Sequence, residues 1–402
     1  MTAGRLDGVR VVVTRPRDQS ASLIEALEDR GAVPVPVPVI EIADPPDGGA
    51  ALRDGLAALG PGDWLVISSP NGAARVGAVL RDRPLADDVS VAVIGPGTRA
   101  RAEALGIRVD LMPPSSIAEG LLASLPDPPM AGATMLLARA EEARAVLPEG
   151  LEARGWAVRD IAAYRTLGVP VADDDAVACR HADVAAFTSA STVRHLVDGV
   201  GRANLPPVLA SIGPATSAQA TALDLRVDIE AEEHTIPGLV DAIAAAASDL
   251  VLLRPEPAAS ADAQWLLAQY FAEIDERFET GLDRDALLAT PPEELSPPNG
   301  LFIAGRLGGQ PVACGALKTI EPGVADIKRM WVGEAARGRG VGRRLLRRLV
   351  DEGRAMGLRR VRLDTNRALT EAIALYRSEG FVEVPAFNDE PHAHHWFVLD
   401  ID

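Results

Sequence analysis

Cysteine is almost absent from this chain: Cys179 and Cys314 are the only two in 402 residues. Two such thiols supply neither a disulfide framework nor a paired-cysteine zinc site. Lysine is missing from residues 1–248, where 21 Arg face 33 acids for a net of −12. Residues 249–402 carry 19 Lys and Arg against 24 acids, a net of −5, and the whole chain stands at −17. That balance argues against a nucleic-acid binder, whose footprint is basic. No apolar run approaches the roughly 20 residues of a membrane span. Met1-Thr-Ala-Gly-Arg-Leu-Asp-Gly8 lacks the apolar core of a secretory signal. The expectation is a cytoplasmic protein.

What is present is the makeup of a globular protein, 48% apolar and 24% charged. Its length suits two or three domains at about 100–200 residues each. Ten of the 19 C-terminal bases fall between Arg337 and Arg362. Such a block reads as a solvated helix face or as an attractor for an anionic ligand.

An internal repeat organises the first 250 residues. Val11-Val-Val-Thr-Arg-Pro16 returns 124 residues later as Met135-Leu-Leu-Ala-Arg-Ala140, and Leu27-Glu-Asp-Arg-Gly31 as Leu151-Glu-Ala-Arg-Gly155. Ile67-Ser-Ser-Pro-Asn-Gly-Ala73 returns at offset 120 as Phe187-Thr-Ser-Ala-Ser-Thr-Val193. Ala92-Val-Ile-Gly-Pro-Gly-Thr98 returns at offset 118 as Ala210-Ser-Ile-Gly-Pro-Ala-Thr216. Four matches in one order indicate a duplication. Each copy alternates short β-branched runs with amphipathic stretches, the pattern of a parallel sheet with crossover helices. Ser68, Ser69, Thr98, Thr188, Ser189 and Thr216 fall where strands give way to helices. Such hydroxyls cap helices, and the carboxyl ends of strands in open α/β sheets are also where ligands bind. Helix N-termini favour carboxylates and phosphates. Arg15 and Arg139, at equivalent repeat positions, are candidate carboxylate partners.

Thr14-Arg-Pro16, Ser68-Ser-Pro-Asn-Gly72, Ile94-Gly-Pro-Gly-Thr98, Ala163-Tyr-Arg-Thr166, Phe187-Thr-Ser-Ala-Ser191 and Ile212-Gly-Pro-Ala-Thr216 together resemble uroporphyrinogen-III synthase over about residues 1–247. The resemblance implies a module over 1–248 of two α/β domains, parallel sheets with flanking helices, joined by a two-strand connector. Val33–Ile42 and Val158–Thr166 become the connecting strands. Subdomain one is then 1–38 plus 167–247, and subdomain two is 39–166. Pro34, Pro36 and Pro38 suit an extended connector and not a central strand. The implied reaction dehydrates hydroxymethylbilane, inverts ring D and closes the macrocycle, with no cofactor or metal. The implied substrate-binding set is Arg15, Ser69, Asn71, Thr98, Arg139, Thr188, Ser189, Ser191 and Thr216. Tyr164 would assist departure of the hydroxyl, or only pack the strand. Thr216 would contact substrate, cap a helix, or do both.

A second module begins near residue 250, at Leu250-Val-Leu-Leu-Arg-Pro255. A helical region over about 260–276 and the Pro-rich stretch Thr290–Gly300 precede strands at Gly300–Leu307, Pro311–Ile320 and Val324–Val332. Gly308-Gly309 is a hairpin turn. Arg337-Gly-Arg-Gly-Val-Gly342 then leads into a helix with apolar Val341, Leu345, Leu346, Leu349 and Val350. Glycines between a strand and a helix let backbone amides close on a phosphate. The spacing does not fit a dinucleotide fingerprint.

This string, with Val361-Arg-Leu-Asp-Thr-Asn366 and Ala372-Ile-Ala-Leu-Tyr-Arg-Ser-Glu-Gly-Phe381, resembles the GNAT acetyltransferases over about 251–402. The resemblance implies a GNAT α/β acyltransferase fold that uses acetyl-CoA. Main-chain groups of Met330, Trp331 and Val332 would pair with the pantetheine arm. Amides of Arg337, Gly338, Arg339, Gly340, Val341 and Gly342 would cradle the pyrophosphate, with neighbouring arginines adding positive field. The motif demands glycine at 340 but not at 338. Tyr376 would protonate the departing thiolate, and Asn366 would bond the cofactor or only a bulge.

The base is open between Glu321, Asp326 and a water chain, and the acceptor amine is expected near Phe271–Leu282. Pro391-His-Ala-His-His-Trp396 reads as a substrate-edge strand and not a metal site, since alternation sets His395 opposite His392 and His394. The expected protein is bifunctional, with small-molecule substrates and no nucleic-acid or membrane partner. The alternative is a silent tetrapyrrole or anion sensor that regulates the acetyltransferase.

Overall fold

Val11, Val12 and Val13 are all but fully buried, as a strand covered on both faces of a parallel sheet requires. The computed structural model describes residues 5–115, 117–143, 145–277 and 291–401. The chain divides into two compact units, Arg10–Ile243 and Met1–Val9 with Ala244–Asp402.

In Arg10–Ile243, β1 (Arg10–Val13), α1 (Ala21–Glu28), β2 (Val33–Pro36), β3 (Ile40–Ala43), α2 (Ala50–Ala57), β4 (Trp64–Ile67), α3 (Pro70–Leu80), β5 (Ser90–Val93) and α4 (Pro96–Ala104) follow in order. Next come α5 (Ala118–Ser124), β6 (Thr134–Ala140), α6 (Val146–Ala153), β7 (Ala157–Gly168), α7 (Asp173–Arg180) and β8 (Val184–Phe187). The last are α8 (Ala190–Val200), β9 (Val208–Ser211), α9 (Pro214–Ala222), β10 (Ile229–Glu230) and α10 (Ile236–Ala245). One sheet runs β10-β9-β8-β1-β2, all parallel. The other runs β3-β7-β6-β4-β5, with only β3 antiparallel.

The duplication is visible in the strand orders. The repeat offsets carry β1 onto β6, β2 onto the start of β7, β4 onto β8 and β5 onto β9. Under that mapping β9-β8-β1-β2 matches β5-β4-β6-β7 position by position. Each sheet therefore takes two strands from each repeat. The exchange makes the first sheet discontinuous in sequence.

The expected connectors are not free-standing ribbons. The stretch 33–42 splits: β2 is an edge strand beside β1, while β3 pairs with the far half of β7. An edge strand needs ladder hydrogen bonds on one side only, which is why Pro34 and Pro36 are tolerated. β7 is twelve residues long. It pairs parallel with β6 up to Tyr164 and antiparallel with β3 from Arg165 to Gly168. Leu65, Ile67 and Leu136 are fully buried beneath the second sheet's helices, each contributing about 1.5–3 kcal/mol relative to exposure.

The other unit holds β11 (Val251–Pro255), α11 (Ala261–Arg277), β12 (Gly300–Leu307), β13 (Gln310–Glu321), β14 (Val324–Val332), α12 (Val341–Ala355), β15 (Arg360–Thr365), α13 (Thr370–Ser378), β16 (Val382–Val384) and β17 (His395–Asp400). Its sheet runs β11-β12-β13-β14-β15-β17-β16. Gly308 and Gly309, both at positive φ (55° and 82°), turn the β12–β13 hairpin as a two-residue turn demands. The five apolar positions expected on α12 are all buried against the sheet. Within the same unit Leu6 is fully buried and Gly8 O accepts from Arg254 Nη2 at 2.6 Å.

Pairing of β14 with β15 covers only Val324–Asp326 against Arg360–Arg362. Beyond Asp326 the two strands have no ladder, and a bulge opposite Gly315 sets Arg329 at φ +59°. That parting positions the second site.

Candidate functional site

Within Arg10–Ile243 the carboxyl ends of β1, β4, β5, β8 and β9 open onto one cleft of about 710 Å³. Eight of the nine expected substrate-facing residues line it: Arg15, Ser69, Asn71, Thr98, Thr188, Ser189, Ser191 and Thr216, with Tyr164 among them. Ser69 caps α3 by accepting from the Gly72 amide at 3.1 Å, and Ser189 caps α8 by accepting from Thr192 N. Thr98 and Thr216 are not caps. Gly95 and Gly213 hold the N-cap positions of α4 and α9 without a side-chain acceptor, and the threonines sit in the first turn. Each helix opens on a proline that has no N–H, Pro96 or Pro214, and no side chain caps the Gly97 or Ala215 amide that follows.

The two repeat-equivalent arginines have different fates. Arg15 lies in the cleft and, among the described residues, makes no hydrogen bond or ion pair. Burial pulls its pKa down, with only Asp18 opposing. Arg139 does not line the cleft. It is buried and its Nε donates to Asp160 Oδ1 at 2.5 Å. The cause is positional: residue 160 minus the 124-residue offset is Pro36, which has no carboxylate. Arg139 therefore leaves the list of carboxylate partners.

Tyr164 is 7% exposed, and its hydroxyl lies 3.0 Å from Ser69 Oγ. Burial raises its pKa, while hydrogen bonding from Ser69 and Asn71 draws it back down. His234, unmarked by any local pattern in Glu232-Glu233-His234-Thr235, also lines the cleft. A Cβ on Gly213 would stand 2.7 Å from its ring, so glycine there lets the imidazole lie against the start of α9.

The second site forms where β14 and β15 part. Its cavity is lined by Tyr270, Phe271 and Ile274 of α11, by Ile327–Met330, by Leu363–Asn366, and by Tyr376, Glu390 and His392. Trp331 and Val332 continue β14 beside it. Gly340, at φ +71°, is the N-cap of α12 with no side-chain cap, and a Cβ there would meet nothing within 4 Å. Gly338 is equally left-handed, at φ +74°. Both positions in the turn therefore demand glycine. Gly342 does not share that conformation.

The arginine block is largely neutralised. Arg343 and Arg347 pair with Glu379, Arg348 with Glu352 and Arg354 with Asp351. Arg337 is held by Glu273 at 2.5 Å, which also accepts from Trp331 Nε1 at 2.7 Å. Arg339 donates to Asp249 O and has no carboxylate partner among the described residues. The field at the start of α12 is thus weaker than the count of arginines suggests.

Asn366 is committed to the fold, donating to His392 O at 2.7 Å and accepting from Ala368 N at 2.9 Å. It also lines the cavity, with one N–H and one lone pair beyond those two bonds. Tyr376 is buried against Phe381 and Phe397, and burial raises its pKa. Neither Glu321 nor Asp326 lines the cavity, and Asp326 is paired with Arg362 at 2.5 Å. The carboxylates that do line it are Asp364, bonded by Lys328 and Asn388, and Glu390. His392 reaches the cavity from a loop, while His395 opens β17 and contacts Glu383 at 2.7 Å. Of the expected acceptor region Phe271–Leu282, Phe271 and Ile274 line the cavity; 278–282 lie outside the described residues. Among the described residues no helix is long and apolar enough to cross a membrane, and no three His, Cys, Asp or Glu gather as a metal-binding group.

Comparison with known proteins divides the chain in the same way. Residues 21–241 match the family described as uroporphyrinogen-III synthase HemD, and residues 263–381 the acetyltransferase (GNAT) family. A uroporphyrinogen-III synthase of Synechococcus elongatus is 33% identical over 254 residues, 59% of this chain and 95% of that protein. An IAA acetyltransferase of Azospirillum brasilense is 42% identical over 92 residues, 23% of this chain and 60% of that protein. A solved uroporphyrinogen III synthase from Thermus thermophilus aligns with 58% of this chain and 96% of its own, at 17% identity and a TM-score of 0.44. The chain belongs to the uroporphyrinogen-III synthase family and carries a GNAT acetyltransferase domain after it.

Proposed function

We propose that the protein is bifunctional, its first half converting hydroxymethylbilane to uroporphyrinogen III with inversion of ring D. The observation that carries this is the cleft in Arg10–Ile243, where helix N-termini from both sheets and the unpaired Arg15 open onto one space. A linear tetrapyrrole bearing many carboxylates needs backbone amides and a cation on both sides to hold it folded. Tyr164 is the proton donor to the departing hydroxyl. A phenol is protonated at neutral pH in any case, and burial raises its pKa further. Chain incubated with freshly prepared hydroxymethylbilane should yield the type III isomer, and the type I product alone would refute the reading. Tyr164→Phe should slow formation of type III by about tenfold to a hundredfold with the fold intact. That is at or below the lower bound of the usual contribution of a positioned acid, because the substrate also loses hydroxide unaided.

The second half transfers acetyl from acetyl-CoA to an amine. Support comes from the parting of β14 and β15, which frees the edge of Met330–Val332, and from the left-handed Gly338 and Gly340 before an uncapped helix. Amides of residues 337–342 would hold the pyrophosphate, and Tyr376 would protonate the leaving thiolate. Bound acetyl-CoA supplies the activated acyl group. Gly338→Ala should cost the fold roughly 1–2 kcal/mol, because alanine is strained at that left-handed position, and should weaken acetyl-CoA binding by at most about fivefold to thirtyfold, the whole of that cost, if the free turn relaxes. Calorimetric titration of the folded variant reads this directly.

A further inference from the structure

We propose that Ser69 is a positioning residue for Tyr164: its hydroxyl, anchored by the Gly72 amide, donates to the phenol oxygen and so turns the tyrosine's own proton into the cleft. The inference rests on the cyclisation reading and deepens it.

The argument is a count of protons and lone pairs. A serine hydroxyl has one proton to give and two lone pairs to fill. Ser69 Oγ accepts from Gly72 N at 3.1 Å and lies 3.0 Å from Tyr164 Oη. Among the described residues these are its only hydrogen-bond neighbours. If the phenol donated to the serine, the serine would carry two incoming donors, and its own proton would have no protein acceptor. Ser69 lines the cleft as Tyr164 does, so that proton would face the ligand in place of the phenol's, and an aliphatic hydroxyl is a far weaker acid than a phenol. In the other orientation every group is satisfied. The Gly72 amide donates to Ser69, Ser69 donates to Tyr164, and Tyr164 donates to the ligand.

Such a chain polarises cooperatively, and its origin is the positive end of α3. Burial raises the phenol's pKa, while Ser69 and Asn71 lower it, as donors to the phenolate oxygen should. Proton transfer from Tyr164 breaks the carbon–oxygen bond of the hydroxymethyl group with both electrons leaving on oxygen, and water departs. Ser69 then holds the phenolate until the proton lost on rearomatisation of the closing pyrrole restores it. The repeat offers a contrast. Ser189 caps α8 in the equivalent place but contacts Ser191 and not a tyrosine.

The test uses the full chain with hydroxymethylbilane, comparing Ser69→Gly and Ser69→Thr, each alone and with Tyr164→Phe. Glycine is tolerated at a helix N-cap at small cost, so the cap is largely kept while the hydroxyl is lost; circular dichroism confirms folding. Ser69→Gly should lower kcat by the same factor as Tyr164→Phe, within about threefold, with the larger effect on kcat and not KM. Added to Tyr164→Phe it should cost nothing more, because residues acting as one unit are non-additive. Ser69→Thr, which keeps both cap and donor, should restore most of the rate. Losses that multiply, or a Ser69→Gly chain as fast as wild type beside a slow Tyr164→Phe, would overturn the proposal. A wild-type chain that forms only the type I isomer would fail the cyclisation reading itself, and no variant is needed to see that.

Discussion

Gly340→Val is expected to abolish detectable acetyl-CoA binding, a loss of at least about 100-fold, while tetrapyrrole cyclisation continues at the wild-type rate. Gly340 sits at φ +71° with open space where a Cβ would stand. The protein has no internal clash to offer a side chain there. The penalty comes from two other sources. A β-branched residue in the left-handed region is a true outlier, costing about 1–3 kcal/mol, and the valine methyls would occupy the space a pyrophosphate needs to reach the first amides of α12. The strain lowers stability, and the loss of affinity comes from excluding the pyrophosphate, for which a hundredfold change corresponds to about 2.7 kcal/mol. Calorimetric titration decides it, with the isomer assay run on the same preparation. Binding as tight as wild type would remove the phosphate-cradle reading.

Arg15→Met is expected to move stability and activity in opposite directions. Arg15 is partly buried, makes no ion pair among the described residues, and pays for desolvation with a lowered pKa. Replacing an uncompensated charge by an apolar group of similar length should leave the Tm unchanged or higher. Hydrogen bonds to charged groups contribute about 1.5–3 kcal/mol, so kcat/KM for cyclisation should fall roughly tenfold to 150-fold if Arg15 grips a substrate carboxylate. Arg139→Met supplies the comparison. It should lower the Tm, because it removes a buried guanidinium that Asp160 holds at 2.5 Å. Should Arg15→Met destabilise the fold without touching kcat/KM, Arg15 is a structural residue and the cleft is held another way.

Most of what is local was legible before any coordinates. Valine-rich runs, Gly-Pro helix starts and the Gly308-Gly309 turn report their own backbone, because period and turn chemistry act over a few residues. The repeat fixed which segments are equivalent, and eight of nine expected cleft residues do line one cleft. Three kinds of fact lay outside that reach. Whether Gly338 needs glycine depends on a φ of +74° set by the turn it closes. Whether Asn366 is free for a ligand depends on His392 and Ala368, brought to it by a loop 26 residues away and by its own turn. His234 enters the cleft only because Gly213 leaves room for its ring.

The sequence by itself determined the duplicated α/β elements, the placement of small residues at their junctions and the glycine turn before α12. Tertiary structure alone decided that each sheet takes two strands from each repeat, that Asp160 captures Arg139 while Pro36 leaves Arg15 unpaired, and that Ser69 meets Tyr164. The physical reason is that propensity and period are properties of neighbouring residues, whereas the hydrogen-bonding capacity a side chain still has to offer depends on strand register and on what packs across from it.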